Sequence, residues 1–260
     1  MTKWTTSQIK DALNSIQHKQ DIPVEWYQDE RKSVQQALKS WEDKLVKFKK
    51  LQEKLDSMLS FEKALTKNGY NAIAGIDEVG RGPLAGPVVA ACVMMPMDTF
   101  ILSVNDSKQL SEKKREKLYK EIMANAISVG IGIVEPNDID TLNIYQATKV
   151  AMQQAVDKMS IKPDFLLIDA MTLTNDLPQE SLIKGDARSY SIACASIIAK
   201  VTRDRMMCEY AQHYPHYAFD KNAGYGTKDH LLGLEKYGIT PIHRKSFEPI
   251  KTMLNNNFHQ

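Results

Sequence analysis

Gly75-Ile76-Asp77-Glu78-Val79-Gly80-Arg81-Gly82-Pro83 is the stretch from which the fold and the chemistry of this chain can be read. Two adjacent carboxylates close a short apolar run, and a glycine-arginine-glycine turn follows at once. Neighbouring residues of a regular strand point to opposite faces, so Asp77 and Glu78 share one site only where the strand ends or bends. Gly80 and Gly82 supply that freedom, and a backbone without Cβ lets another molecule approach closely. Apolar segments on both sides set the charges on a scaffold.

Working outward, residues 71–77, 87–95, 127–135 and 164–169 carry strand patterns. Residues 111–126, 138–159, 189–212 and 228–237 carry helical ones. The last helix has Thr227 to cap its start, Gly238 to end it left-handed and Pro241 to stop it. Three early strands followed by helix, strand and helices predict an α/β fold, a mixed sheet flanked by helices. Upstream of Gly69 the composition differs. From Val34 to Leu65 the chain is rich in Lys, Glu and Gln, with Leu38, Trp41, Leu45, Phe48, Leu51, Leu55 and Leu59 at helical spacing. A shorter helix at 6–16 has Thr6 or Ser7 as its N-cap. Residues 1–69 are expected to form a small helical N-terminal extension with a substrate-binding or packing role. Residues 70–260 are expected to form the catalytic domain, with a helical C-terminal part.

The bulk numbers exclude several classes. The 260 residues are 43% apolar and 25% charged, which suits a globular core. A net charge of +2 permits a nucleic-acid partner without requiring one. Cys92, Cys194 and Cys208 have no metal-site or disulfide spacing and read as buried apolar residues in a reducing compartment. With no apolar run of membrane-spanning length and a polar start, a cytoplasmic protein without a membrane partner is expected.

Two more acids join the first pair. Asp169 ends the apolar strand Phe165-Leu166-Leu167-Ile168, where α/β sheets present functional groups. Asp186, in Lys184-Gly185-Asp186, lies just ahead of the long helix beginning near Ser189. Singly, each acid reads as a turn or surface residue; together they form a set of hard oxygen ligands without His or Cys. Such a set selects Mg²⁺ or Mn²⁺, and paired ions of this kind activate water against a phosphodiester. The glycine turn is not a dinucleotide fingerprint: its third glycine is one residue late, and Pro83 and Pro87 spoil the helix that should follow. Bare glycine backbone instead suits a sugar edge, where the 2′-hydroxyl tells RNA from DNA.

The segment Ile76 to Pro83 resembles the signature of the type 2 ribonuclease H family, its bacterial ribonuclease HII class in particular. Four other segments agree in order. They are Asn105-Asp106-Ser107-Lys108, Leu167-Ile168-Asp169-Ala170, Lys184-Gly185-Asp186 with Ala195 to Val201, and Gly224-Tyr225-Gly226-Thr227. Arg244-Lys245-Ser246-Phe247 resembles the family's closing pattern. The resemblance spans about residues 71–250, and Arg81 favours class HII over class HIII, which typically carries lysine there. It implies a ribonuclease H-like sheet and Asp77, Glu78, Asp169 and Asp186 as metal-binding catalytic acids. It implies that Gly80, Arg81 and Gly82 recognise the ribonucleotide, that Ser107 and Lys108 contact phosphate, and that Tyr225 stacks on the following deoxyribose. The implied activity is endonucleolytic cleavage 5′ of ribonucleotides in RNA–DNA hybrids and of single ribonucleotides in duplex DNA. It leaves 3′-hydroxyl and 5′-phosphate ends and removes misincorporated ribonucleotides and RNA primers.

Weaker signals complete the reading. Lys108, Lys184, Lys200, Arg203, Lys228, Arg244 and Lys245 are candidates to line a duplex-binding surface. His213 and His216 read as structural. The lysine-flanked stripe of residues 38–59 reads first as packing, then as a surface for a nucleic-acid backbone or a partner helix. A monomer is expected. The competing class is a binding or docking protein with a silent core. Four intact acids speak against it, because a silent core has no physical need to hold repelling carboxylates together.

Overall fold

A computed structural model describes residues 4–257, which divide into two compact units at Asp56/Ser57. The first unit is helical: α1 (Thr6–Ser15), α2 (Val24–Tyr27) and α3 (Lys32–Met58), the last continuing into the second unit. Ile9, Leu13, Ile22, Trp26, Val34, Leu38 and Trp41 form its core. The N-cap of α1 is Thr5, one residue ahead of the expected Thr6 or Ser7. Gln8 decides this, because its side chain returns to the Thr5 N–H while Thr5 accepts the Gln8 N–H, closing a reciprocal box. Of the anticipated apolar stripe, Leu38 and Trp41 are buried while Phe48 is exposed.

The second unit begins with α4 (Ser60–Lys67), which the compositional boundary at Gly69 had grouped with the extension. Leu65 of this helix packs with Ile73, Phe165, Leu167, Leu182 and Ile192. Five strands follow among the helices: β1 (Ile73–Val79), β2 (Val88–Met94), β3 (Ser128–Val134), β4 (Phe165–Asp169) and β5 (Gln179–Leu182). They form one mixed sheet in the order β3-β2-β1-β4-β5. β1 runs antiparallel to β2 and parallel to β4. The fold class is the one expected from sequence. β5 was missed because its Gln-Glu-Ser-Leu is short and polar, as a sheet edge permits.

The remaining helices are α5 (Glu112–Asn125), α6 (Pro136–Leu142), α7 (Ile144–Asp157), α8 (Gly185–Arg188), α9 (Tyr190–His213), α10 (Phe219–Asn222), α11 (Lys228–Tyr237) and α12 (Ile250–Asn257). The single helix expected over 138–159 is thus two. Asn143 sits between them at φ 68°, and its side chain accepts the Gln146 N–H to cap α7. Asparagine tolerates both roles better than most residues. Thr227 precedes α11 without a side-chain capping bond, its hydroxyl accepting from Asn222 instead.

The strand pleat sorts side chains onto two faces. Ala74, Ile76, Leu166 and Ile168 pack with Ala147, Ala151 and Ala155 of α7. Ile73 and Leu167 face the other way, toward Ile192 of α9. Helix α9 lies almost in contact with the β1 backbone: a Cβ added at Gly75 would sit 2.1 Å from the Ser191 carbonyl carbon. Gly75→Ala is therefore expected to lower stability by about 1–3 kcal/mol or more, the usual cost of overpacking. Urea unfolding should show a lower midpoint at an unchanged slope.

Candidate active site

The pleat that buries Ile73 and Gly75 against α9 also places Asp77 on that face, and Glu78 on the opposite one. Parallel pairing of Ile76 with Ile168 then brings Asp169 level with Asp77 at the end of the adjacent strand. Asp186 enters from α8, ahead of α9. One carboxylate oxygen from each of Asp77, Asp169 and Asp186 lies within 4.8 Å of the others, so the three could hold a metal ion. Asp169 is oriented by the Gly185 N–H, which donates to its Oδ1 at 2.7 Å. Asp77 Oδ1 accepts the Glu78 N–H at 2.8 Å.

Glu78 stands apart from this trio. Its Oε1 lies 3.4 Å from Arg81 Nη1, and its buried Oε2 has no hydrogen-bond partner among the described residues. β1 stays paired with β2 through Val79, so the bend that would swing both acids to one face does not occur before the strand ends.

Asp77 and Asp186 are only 5% and 7% exposed. All four carboxyls are pushed above their ordinary range, burial being the main cause. Glu78 and Asp169 add repulsion at Asp77, while Ser196 favours its anion. Arg81 opposes the rise at Glu78, and Asp106 and Asp169 reinforce it at Asp186. Burial works against the Lys108 ammonium, but Asp186, Asp77, Asp106 and Asp169 outweigh it and raise its pKa. Its Nζ lies 4.0 Å from Asp186 Oδ2. Hard oxygen donors, mutual repulsion and an unpartnered buried oxygen together fit a divalent cation.

Lys108 is exposed, but Ser107 is buried and its hydroxyl is 2.9 Å from that of Ser196. Ser196 in turn hydrogen-bonds Asp77, so Ser107 braces a group that touches the acid. The exposed Tyr225 ring stands over the glycine turn, since a Cβ on Gly82 would meet its Cε1 at 3.4 Å.

The turn itself, with Gly80 at φ 92°, is held from below. Buried Arg244 donates to the carbonyls of Gly80, Arg81 and Gly86. Buried Arg203 donates to those of Ala85, Pro87 and Ala223. The sequence reading places both among surface cations, whereas both are fully buried. Burial lowers the Arg203 pKa to about 10 and the Arg244 pKa to about 9, leaving both cationic at neutral pH. The signal for Arg203 lay in its helix, since Tyr190 to Val201 is apolar nearly all round and such a helix is enclosed. Lys200 is paired to Asp204 at 2.6 Å. His213 bonds the Glu209 carbonyl and His216 stacks on Tyr237, consistent with structural roles.

A family model described as Ribonuclease HII matches residues 74–250, and one described as Ribonuclease HII N-terminal domain matches residues 5–66. The chain belongs to the ribonuclease HII family. The ribonuclease HII of Enterococcus faecalis is 57% identical over 255 residues, covering 98% of this chain and 100% of the relative. That of Bacillus licheniformis is 52% identical over 252 residues, covering 96% of this chain and 99% of the relative. Among solved structures, the ribonuclease H2 of Pyrococcus horikoshii matches with a TM-score of 0.64 at 26% identity, covering 73% of this chain and 100% of that one. This ribonuclease HII-family chain is accordingly a hydrolytic nuclease of the ribonuclease H kind. Among the described residues no helix is long and apolar enough to cross a membrane.

The raised carboxyl pKa values carry a stability consequence. A folded-state pKa above the unfolded value means that ionisation disfavours the fold, so stability falls as pH rises from the ordinary aspartate range toward the raised pKa of folded Asp77. Asp77→Asn is therefore expected to raise the thermal midpoint of metal-free protein at neutral pH, by about 2–4 °C for each kcal/mol relieved. Added Mg²⁺ or Mn²⁺ should raise the wild-type midpoint and leave that of the variant nearly unchanged. Scanning calorimetry with and without the ion checks both.

Proposed function

We propose that this chain is an endoribonuclease that hydrolyses the phosphodiester 5′ of ribonucleotides in RNA–DNA hybrids, and of single ribonucleotides embedded in duplex DNA. It leaves 3′-hydroxyl and 5′-phosphate ends and removes misincorporated ribonucleotides and RNA primers. One observation carries the reading: three carboxylates converge beside a glycine turn whose carbonyls are pinned by a buried guanidinium, with an exposed tyrosine ring against it.

Asp77, Asp169 and Asp186 would hold Mg²⁺ or Mn²⁺ as catalytic acids, and Glu78, the fourth acid, would complete the set with its unpartnered Oε2. When bound there, a divalent ion would supply Lewis acidity toward water and the phosphate charge. The chain's own residues set the position of the scissile bond. Gly80, Arg81 and Gly82 recognise the ribonucleotide. Because Arg244 occupies the carbonyls of Gly80 and Arg81, their peptide planes cannot rotate, and the 2′-hydroxyl meets fixed backbone groups. Tyr225 stacks on the next sugar and disfavours a 2′-hydroxyl there. Lys108 contacts phosphate, with Ser107 supporting its segment. Lys39, Lys44, Lys47, Lys49 and Lys50, exposed along α3, give the extension a backbone-gripping role. The enzyme is cytoplasmic and acts as a monomer.

A labelled DNA duplex containing one ribonucleotide tests the reaction. Nicking on the 5′ side with Mg²⁺ or Mn²⁺, abolished by chelator, is expected; no nick, or one that survives chelation, would sink the proposal. Tyr225→Ala tests the junction assignment. Cleavage at a single ribonucleotide should fall about tenfold or more, the scale of one lost stacking contact of roughly 1–3 kcal/mol. An unchanged rate would remove Tyr225 from substrate recognition.

A further inference from the structure

His230 and His243 lie thirteen residues apart in sequence, and both are fully buried. Their Nε2 atoms are 2.9 Å from each other. Two imidazoles can share such a contact only if one donates and the other accepts, and the surrounding groups decide which. The Thr240 N–H donates to His243 Nδ1 at 2.8 Å, so that nitrogen is an acceptor. A neutral His243 therefore carries its proton on Nε2 and donates it to His230 Nε2. His230 must then carry its own proton on Nδ1, which lies 2.9 Å from the carbonyl oxygen of Tyr225. This one order of protons satisfies the Thr240–His243–His230–Tyr225 contacts, with the Thr240 hydroxyl, also 2.8 Å from His243 Nδ1, donating to it.

The pair is enclosed by rings. Phe219 packs edge-on to His230 at 5.1 Å between centroids, and Tyr217 lies 5.2 Å from His243. The Tyr217 hydroxyl donates to the Gly238 carbonyl and does not compete for either imidazole. Burial and the facing His230 lower the His243 pKa to about 4, which keeps the pair neutral at physiological pH.

The far end of this chain is the glycine turn. His243 bridges to Ala85 through the backbone, and the Leu84 N–H donates to the Gly224 carbonyl. Tyr225 itself is set by few bonds. Its N–H reaches the Asn222 carbonyl, and its own carbonyl accepts from the Thr227 N–H and from His230. The last of these is the one side-chain hydrogen bond found at Tyr225 among the described residues.

We propose that the His230–His243 pair is a positioning device, a strut of fixed proton order that runs from the 240–243 turn to the Tyr225 carbonyl and aims its ring at the nucleotide following the ribonucleotide. This rests on the role given to Tyr225 above. Neither histidine touches substrate; both act through Tyr225 on the preference for a junction where RNA meets DNA.

The test has two arms on the full-length protein. Long-range ¹H–¹⁵N spectra of the histidine rings, assigned with single variants, should show His243 protonated at Nε2 and His230 at Nδ1 near neutral pH. Any other pattern overturns the strut whatever the substrate role of Tyr225. The second arm measures the ratio of cleavage at a single ribonucleotide in DNA to cleavage of an RNA–DNA hybrid. His230→Leu should lower that ratio to the level of Tyr225→Ala, and His230→Asn, which keeps a donor near the Tyr225 carbonyl, should restore part of it. The double variant should match Tyr225→Ala within about twofold, the scatter of independent effects. Should His230→Leu not fold, His243→Asn replaces it, since it keeps an acceptor for Thr240 and removes the donor to His230. Additive losses in the double variant overturn the proposal, as does an unchanged ratio in His230→Leu where Tyr225→Ala lowers it. An unchanged ratio in Tyr225→Ala with the expected ring spectra instead removes the role of Tyr225, and reduces the strut to a structural one.

Discussion

Two guanidinium groups without a carboxylate hydrogen-bond partner among the described residues underlie the candidate site. Arg203 and Arg244 are fully buried, and each spends its donors on main-chain carbonyls, three from Arg203 and four from Arg244. Burying a cation is costly unless its donors are satisfied, and satisfying it with carbonyls fixes the peptides that supply them. The stretch from Gly80 to Pro87 therefore cannot relax as an ordinary loop would. It joins β1 to β2, so its rigidity is passed directly to the strand carrying Asp77 and Glu78. Arg203 also reaches Ala223, which ties the Tyr225 turn to the same anchor. A lysine could not do this work, because the contacts need a planar fork with several donors.

The carboxylates present the opposite problem, since like charges are gathered where water is scarce. Nothing in local conformation favours this, and the raised pKa values of all four acids record the strain. Their proximity is enforced by sheet register, which the cores on both faces determine. Shifting β4 by one residue would turn Leu167 away from α9 and carry Asp169 to the opposite face. The arrangement thus stores electrostatic energy that a divalent cation would release, linking ion binding to stability as well as to cleavage.

Much of this was legible in the chain. Strong apolar runs point to β1, β2 and β4, and acids near the ends of β1 and β4 lie in the cluster that could hold a metal ion. The local motif around Gly80 carried the family. What escaped reading depended on distant partners. Arg203 and Arg244 look like other cations until the helix and turn around them are seen to be enclosed. Ser107 belonged to a segment read as contacting phosphate, whereas its hydroxyl bonds to Ser196, eighty-nine positions away. His230 and His243 carry no local signal at all, because their meaning is the 2.9 Å between them. The separation of Glu78 from Asp77 follows from the period of a strand, and only the persistence of β1 pairing through Val79 decides it.

The β1–β4 register sets Asp77, Asp169 and Asp186 where together they could hold one cation. A crystal of the protein soaked in Mn²⁺ and measured for anomalous scattering tests it directly. A peak coordinated by carboxylate oxygens of those three residues is expected, with its loss in Asp77→Asn. A strong peak elsewhere, or three empty carboxylates at saturating Mn²⁺, would contradict it.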